Sequence, residues 1–164
     1  MTAAHRRAFS GQEVYYLRMK KCGVLIFILL LSVVASAQSD KDKTKIQRDI
    51  VAVMDAQTAA WNRGDIDAFM IGYWNSDDLI FASGDNVTRG WRPTLDNYKR
   101  RYDTREKMGT LTFSDLQVSV LSKDAAVVLG SWALARAKDN PKGKFTLIFR
   151  RFKDGWKIVH DHTS

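Results

Sequence analysis

The chain has 164 residues, enough for one domain and a short additional segment, and its formal net charge is +8. Half of that charge lies in residues 1–37, which hold five Lys or Arg and one Glu, so the remaining 127 residues carry only +4. Acidic and basic residues are interspersed there, apart from Lys99-Arg100-Arg101, which is typical of a solvated helix face and not of a nucleic-acid surface. The single cysteine, Cys22, excludes a disulfide framework and a thiolate metal site.

Residues 19–37 have the pattern of a cleaved secretory signal peptide. Residues 19–21 read Met-Lys-Lys, residues 22–34 form an uncharged apolar run, and residues 35–37 are small, as a signal peptidase requires. A membrane span is the alternative, but it needs roughly 17 to 25 apolar residues and this run is shorter. We expect cleavage before Gln38, export to the periplasm or the medium, and no membrane association afterwards.

The segment 1–18 precedes a complete signal and has no periodicity. We expect it to be a mis-annotated extension with the true start at Met19; a longer basic region before the signal is the alternative. Residues 38–45 form a polar leader, and one domain is predicted over 46–164.

Three helices begin this domain. Apolar residues from Ile46 to Trp61 recur at spacings of three, four and seven, which predicts an amphipathic first helix. Asp65 is placed to cap a second helix, and Pro93 suits the first turn of a third that runs to about Tyr102. A short strand over 79–83 separates the second helix from the third.

After Gly109 the hydrophobic period becomes two. Four strands follow, with turns at 123–124, 139–143 and 154–155. Helices followed by strand hairpins indicate the α+β class, with helices packed on one face of a curved sheet and a pocket at its open end. Two of the strands, "AAVVLGSWALA" and "KFTLIFRRF", are apolar on both faces, which predicts a homodimer through the outer face.

Three stretches then resemble a known family: "WNRGDIDAFMIGYWNSDDLIFASG", "RGWRPTLDNYKRRY" and "FTLIFRRFKDGWKIVHDHTS". They are similar to the SnoaL-like group of the nuclear transport factor 2-like superfamily, especially its domain-of-unknown-function 4440 members, over residues 44–164. The resemblance implies a cystatin-like cone of three helices wrapped by a strongly curved, mainly antiparallel sheet of four to six strands, usually dimeric. Because the superfamily contains isomerases, dehydratases, hydrolases, cyclases and non-catalytic binding domains, the fold leaves the function open.

The resemblance to ketosteroid isomerase can be followed residue by residue. The position of its general-base aspartate falls on Ser83, that of its oxyanion tyrosine on Gln57, and that of its oxyanion aspartic acid on Ile148. A serine alone does not abstract a proton alpha to a carbonyl, and an isoleucine donates no hydrogen bond. An isomerase of that type is therefore not expected.

The ending "GWKIVHDHTS" contains the histidine pair His160 and His162. Alternate residues of a strand point the same way, so both rings are expected on the inward face of Trp156 and Ile158, with Asp161 on the other. Three interpretations are open: the rings are packed and hydrogen-bonded core groups, one of them is a general base or ligand donor, or both bind a metal.

The metal interpretation needs a third ligand from a carboxylate such as Asp85 or Asp78, because the domain has no further histidine. We predict neither a metal nor a cofactor. Arg89 and Arg92 could hold a carboxylate near the pocket mouth, but solvated arginines are the simpler interpretation.

Aromatic residues are numerous for a domain of this size, which favours a cavity suited to a flat and largely apolar ligand. Two functions follow: an exported small-molecule-binding domain, which we favour, or an isomerase, lyase or cyclase with His160 or His162 as the base. Whether the protein is an enzyme is left open. The predicted ligand-binding residues are Trp61, Tyr73, Trp74, Phe81, Ser83, Trp91, Tyr98 and Trp132.

Overall fold

The structure, a computed structural model, describes residues 40–164. The predicted extension, signal peptide and cleavage position lie outside the described residues. No helix within 40–164 is both long and apolar enough to cross a bilayer.

The helices form where the apolar spacing predicts them. Helix α1 covers 40–62, α2 Ile66–Met70 and α3 Trp91–Arg101. The side chain of Asp65 caps α2 by accepting a hydrogen bond from the Ala68 amide at 2.9 Å. A one-turn helix that the sequence did not predict, α4 (Arg105–Met108), follows α3.

Within the described residues, six strands form one sheet in the order β2-β1-β6-β5-β4-β3. All neighbouring strands are antiparallel except β1 and β6. The prediction of an α+β fold with a curved, mainly antiparallel sheet is confirmed, and β2 is an additional short strand that the sequence did not predict. The strands are β1 (Ile80–Ser83), β2 (Asn86–Arg89), β3 (Thr110–Val120), β4 (Ala125–Ala135), β5 (Lys142–Phe152) and β6 (Gly155–Thr163).

The core lies between α1 and the concave face of the sheet. Ile50 and Met54 of α1, Phe149 of β5 and Ile158 of β6 are all essentially inaccessible to solvent. Burying an aliphatic or aromatic side chain of this size stabilises the fold by about 1.5–3 kcal/mol, so this layer holds the helix against the strands.

A β-bulge in β6 decides which residues reach that concave face. Phe149 pairs with Ile158 and the preceding residue, Ile148, pairs with His160, so Val159 is an extra residue without a partner. An extra residue reverses the in–out alternation of the residues that follow it. The last four residues of β6 therefore point to the faces opposite to those that strict alternation predicts.

Candidate functional site

Helices α1 to α3 and the concave face of the sheet enclose a cavity of about 210 Å³. Its lining is mostly apolar, and the polar residues that contribute to it are Gln57, Ser83, Thr94, Asn97, Arg101, Asp161 and Thr163, besides the three tyrosines. A mostly apolar cavity with few polar groups is typical of small-molecule sites. Nine aromatic side chains of the described residues line it: Trp61, Phe69, Tyr73, Phe81, Tyr98, Tyr102, Phe113, Trp132 and Phe145.

Six of the eight predicted ligand-binding residues contribute to this lining: Trp61, Tyr73, Phe81, Ser83, Tyr98 and Trp132. The other two do not, and their placement corrects the prediction. Trp74 stacks on Phe152 with ring centroids 5.3 Å apart, and the indole N–H of Trp91 donates to the Met70 carbonyl at 3.0 Å. Each indole therefore packs against another part of the fold instead of the cavity.

The prediction that the histidine pair faces the cavity is wrong. Asp161 and Thr163 line the cavity, whereas His160 is half-buried and His162 exposed on the outer face. The cause is the bulge at Val159, which turns the end of β6 over. The register agrees, because Phe81, the β1 partner of Asp161, also lines the cavity.

Asp161 is the group that the bulge brings inside. It is 3 % exposed, and its carboxylate accepts a hydrogen bond from the Tyr73 hydroxyl at 2.7 Å and another from the Thr163 hydroxyl. Burial raises the pKa of Asp161 to about 6, although Thr163, Tyr73 and the field of His162 act to lower it. Sequence reasoning missed this residue because strict alternation assigned it to the outer face.

Two tyrosines complete the polar end of the cavity. Burial raises the pKa of Tyr73 and of Tyr98, and the charge of Asp161 raises both further. Both phenols consequently keep their protons and act as donors at neutral pH. Their rings are held by Phe69, whose centroid lies 5.9 Å from Tyr73 and 5.3 Å from Tyr98.

Gln57 is a second buried polar group that lines the cavity. Its Nε2 donates to the Phe69 carbonyl at 3.2 Å. Gly72 makes this position possible, since a Cβ there would lie 2.6 Å from Cδ of Gln57. Of the three residues aligned with the isomerase, Gln57 and Ser83 line the cavity and Ile148 does not.

No group of three or more His, Cys, Asp or Glu side chains in the described part of the chain is arranged to hold a metal ion. The acidic group of the cavity, Asp161, has the hydroxyl donors of Tyr73 and Thr163 around it.

Comparisons with known proteins agree with this architecture. The model of the SnoaL-like domain matches residues 50–164. An NTF2-like protein of unknown function from Shewanella oneidensis MR-1 is 43 % identical, with a TM-score of 0.70 over 72 % of this chain and 98 % of that one. No curated protein matches the sequence significantly.

More distant structures share the fold alone. An NTF2-like superfamily protein from Salmonella enterica serovar Typhimurium is 19 % identical, with a TM-score of 0.60 over 74 % of this chain and 92 % of that chain. A domain of unknown function with a cystatin-like fold from Nostoc punctiforme is 17 % identical, with a TM-score of 0.63 over 74 % and 77 %.

Proposed function

Since the chain belongs to the SnoaL-like domain family with its NTF2-like fold, we propose that its cavity binds a small, flat and largely apolar molecule. The observation that carries the proposal is the aromatic lining around a polar end formed by Asp161, Tyr73 and Tyr98. Aromatic walls supply apolar contact area, and the few polar groups orient the ligand.

The cavity volume limits the size of this ligand. An apolar cavity of about 150 Å³ accepts benzene, and sites for drug-sized ligands span about 300–1,000 Å³. The 210 Å³ cavity lies between these values. We infer a ligand with one or two rings, smaller than the polycyclic substrates of a steroid isomerase.

The binding proposal can be tested with 1-naphthol as an apolar two-ring probe, followed by quenching of tryptophan fluorescence. Ser83→Phe adds a ring to the cavity wall, and the matched control Ala82→Phe adds the same ring to the neighbouring residue, which does not line the cavity. We expect saturable binding in the wild type and in the control, and its loss in Ser83→Phe. Equal binding by both variants would contradict the cavity as the site.

A second candidate function, an isomerase, lyase or cyclase, is favoured by one observation. Asp161 has a pKa raised to about 6 and lies at the cavity wall, where a general acid or base would be needed. The histidines are not candidates for this base, because they lie on the outer face.

The two functions differ in what happens to a bound molecule. A ligand recovered by native mass spectrometry can be incubated in deuterated water with the wild type and with Asp161→Asn. Deuterium incorporation that depends on Asp161 would favour the enzyme, and an unchanged ligand would favour the binding domain.

We also propose that the protein is exported and forms a homodimer through the outer face of its sheet. Leu129 of β4 supports the dimer, because it is 44 % exposed in the middle of that strand, next to half-buried Val127 and Ile148. Light scattering should detect a dimer that Leu129→Glu converts to a monomer.

Export can be tested by measuring the intact mass of the protein from the cell envelope. A mass that still includes residues 19–37 would contradict cleavage of the signal peptide.

A further inference from the structure

The cavity contains one buried carboxyl group that has no ion-pair partner among residues 40–164. Asp161 is the only acidic side chain lining it within residues 40–164, and its two hydrogen-bond donors, Tyr73 and Thr163, are neutral hydroxyls. No Lys, Arg or His among those residues forms an ion pair with it. A carboxylate whose pKa is about 6 is mostly ionised at pH 7–8, so a negative charge is buried there with neutral hydrogen-bond donors and no ion pair.

The walls around this charge are aromatic. The rings of Tyr73, Phe81 and Tyr98 all line the cavity with Asp161, and Phe81 is also its direct partner across the β1–β6 pairing. The faces of aromatic rings attract cations within about 6 Å of the ring centroid. A carboxylate and several aromatic rings lining one cavity are thus complementary to the same kind of group.

Arg101, the one basic side chain of the lining within residues 40–164, does not form an ion pair with Asp161. It is an exposed residue at the end of α3, and its field lowers the pKa of Tyr98 but is not among the influences on Asp161. The space beside the carboxylate is therefore open to a positive group carried by a ligand.

We propose that the ligand is an organic ammonium ion with one or two aromatic rings, whose charged nitrogen lies against the Asp161 carboxylate and the ring faces of Tyr73, Phe81 and Tyr98. The inference rests on the proposed binding function and adds the charge of the ligand to it. An ammonium group donates a charge-assisted hydrogen bond to the carboxylate, whereas an alcohol of the same shape donates only an ordinary one and a carboxylate is repelled.

Three probes with the same ring separate these cases: 2-phenylethylamine, 2-phenylethanol and phenylacetate, titrated calorimetrically against the wild-type protein at pH 8. We expect the amine to bind at least about tenfold more tightly than the alcohol, the ratio expected for one buried charge-assisted hydrogen bond, and phenylacetate to bind most weakly. This comparison needs no variant, so it holds even where a substitution impairs folding.

The preference should depend on the charge of Asp161. The amine stays protonated from pH 4.5 to 8, whereas Asp161 loses its charge below about pH 6. The ratio of the amine affinity to the alcohol affinity should therefore approach one at pH 4.5. Tyr73 and Tyr98 face Asp161 and keep their protons in this range. Strand β1 has no titratable residue, and β5 contributes only Phe145 and Leu147 to the lining. The field of His162, on the outer face, also acts on Asp161, so His162→Gln is the control and should still lose the preference for the amine at pH 4.5.

Asp161→Asn should reduce the affinity of the amine to that of the alcohol measured with the same variant. Equal binding of amine and alcohol at pH 8, tighter binding of phenylacetate, or a ratio independent of pH and of Asp161 would overturn the inference while the binding function stands. If 1-naphthol and all three probes fail to bind, the binding function itself fails.

Discussion

The two faces of the sheet carry different chemistry at the end of β6. On the concave face, Asp161 and Thr163 lie among Phe81, Leu147 and other cavity residues, and the carboxyl group is buried and hydrogen-bonded. On the outer face, His160 and His162 lie at or near the surface. One face therefore holds a group whose protonation is set by its surroundings, and the other holds groups close to solvent.

A single residue produces this difference. Before Val159, Trp156 and Ile158 alternate inward as the sequence predicts, and after it the inward residues are Asp161 and Thr163. Chemistry thus depends on the residue count of the strand as much as on the residue types in it, because every side chain beyond a bulge changes face.

Deleting Val159 is expected to have the largest effect on stability. It removes the bulge but leaves Asp161 pointing inward, because strict alternation from Ile158 then gives the same faces. The variant loses the bend of β6 and strains its pairing with β1 and β5, so we expect a loss of about 4 kcal/mol in the free energy of unfolding. Val159→Ala keeps the residue count and should cost about 1 kcal/mol. Urea denaturation measures both, and similar stabilities for the two variants would contradict the role of the bulge.

The buried carboxyl group should make the stability depend on pH. Because its pKa rises from 3.8 to about 6 on folding, the folded state binds more protons between these values, and the stability falls as the pH rises from about 4 to 6. Relative to Asp161→Asn, the wild type should lose about 3 kcal/mol across this window.

Exposed carboxyl groups cancel in this comparison. The pKa values of Asp65, Asp115 and Asp124 are lowered, chiefly by hydrogen bonds, so these groups make the stability rise with pH. Their contribution is the same in the wild type and in Asp161→Asn. Denaturation at pH 4, 5, 6 and 8 gives the difference directly. A difference that stays constant with pH would show that Asp161 is not perturbed.

The sequence predicts most of the fold and part of the site. Helix periodicity, turn residues and the family resemblance were sufficient for the architecture, and bulky aromatic residues such as Trp61 and Tyr98 fall in the cavity where the pattern suggests. The bulge in β3 leaves a trace in the sequence. The apolar residues lie at odd positions before it, Leu111 and Phe113, and at even positions after it, Val118 and Val120. In β6 no such signal exists, because Val159 fits either face.

Tyr73→Phe should lower the free energy of unfolding without moving the backbone. It removes the donor to the Asp161 carboxylate and leaves a buried charge with one partner fewer, which costs about 2 kcal/mol at pH 8. The matched control is Tyr102→Phe, in a ring that stacks on Tyr98 at 5.9 Å but does not bond to Asp161. We expect the control to change stability by less than about 0.5 kcal/mol. Equal losses in the two variants would mean that the Tyr73 bond contributes nothing specific.

The smallest effect is expected on the outer face. A packed core histidine would lose about 1–3 kcal/mol on replacement by alanine, because its buried partners would be left unpaired. A cavity histidine would instead lose ligand binding. His162 is exposed and lies outside the cavity, so His162→Ala should change the free energy of unfolding by less than about 0.5 kcal/mol and leave 1-naphthol binding as in the wild type. Thermal melting and fluorescence titration measure the two quantities. A large loss of either would mean that the histidine, and not Asp161, lies on the inner side of β6.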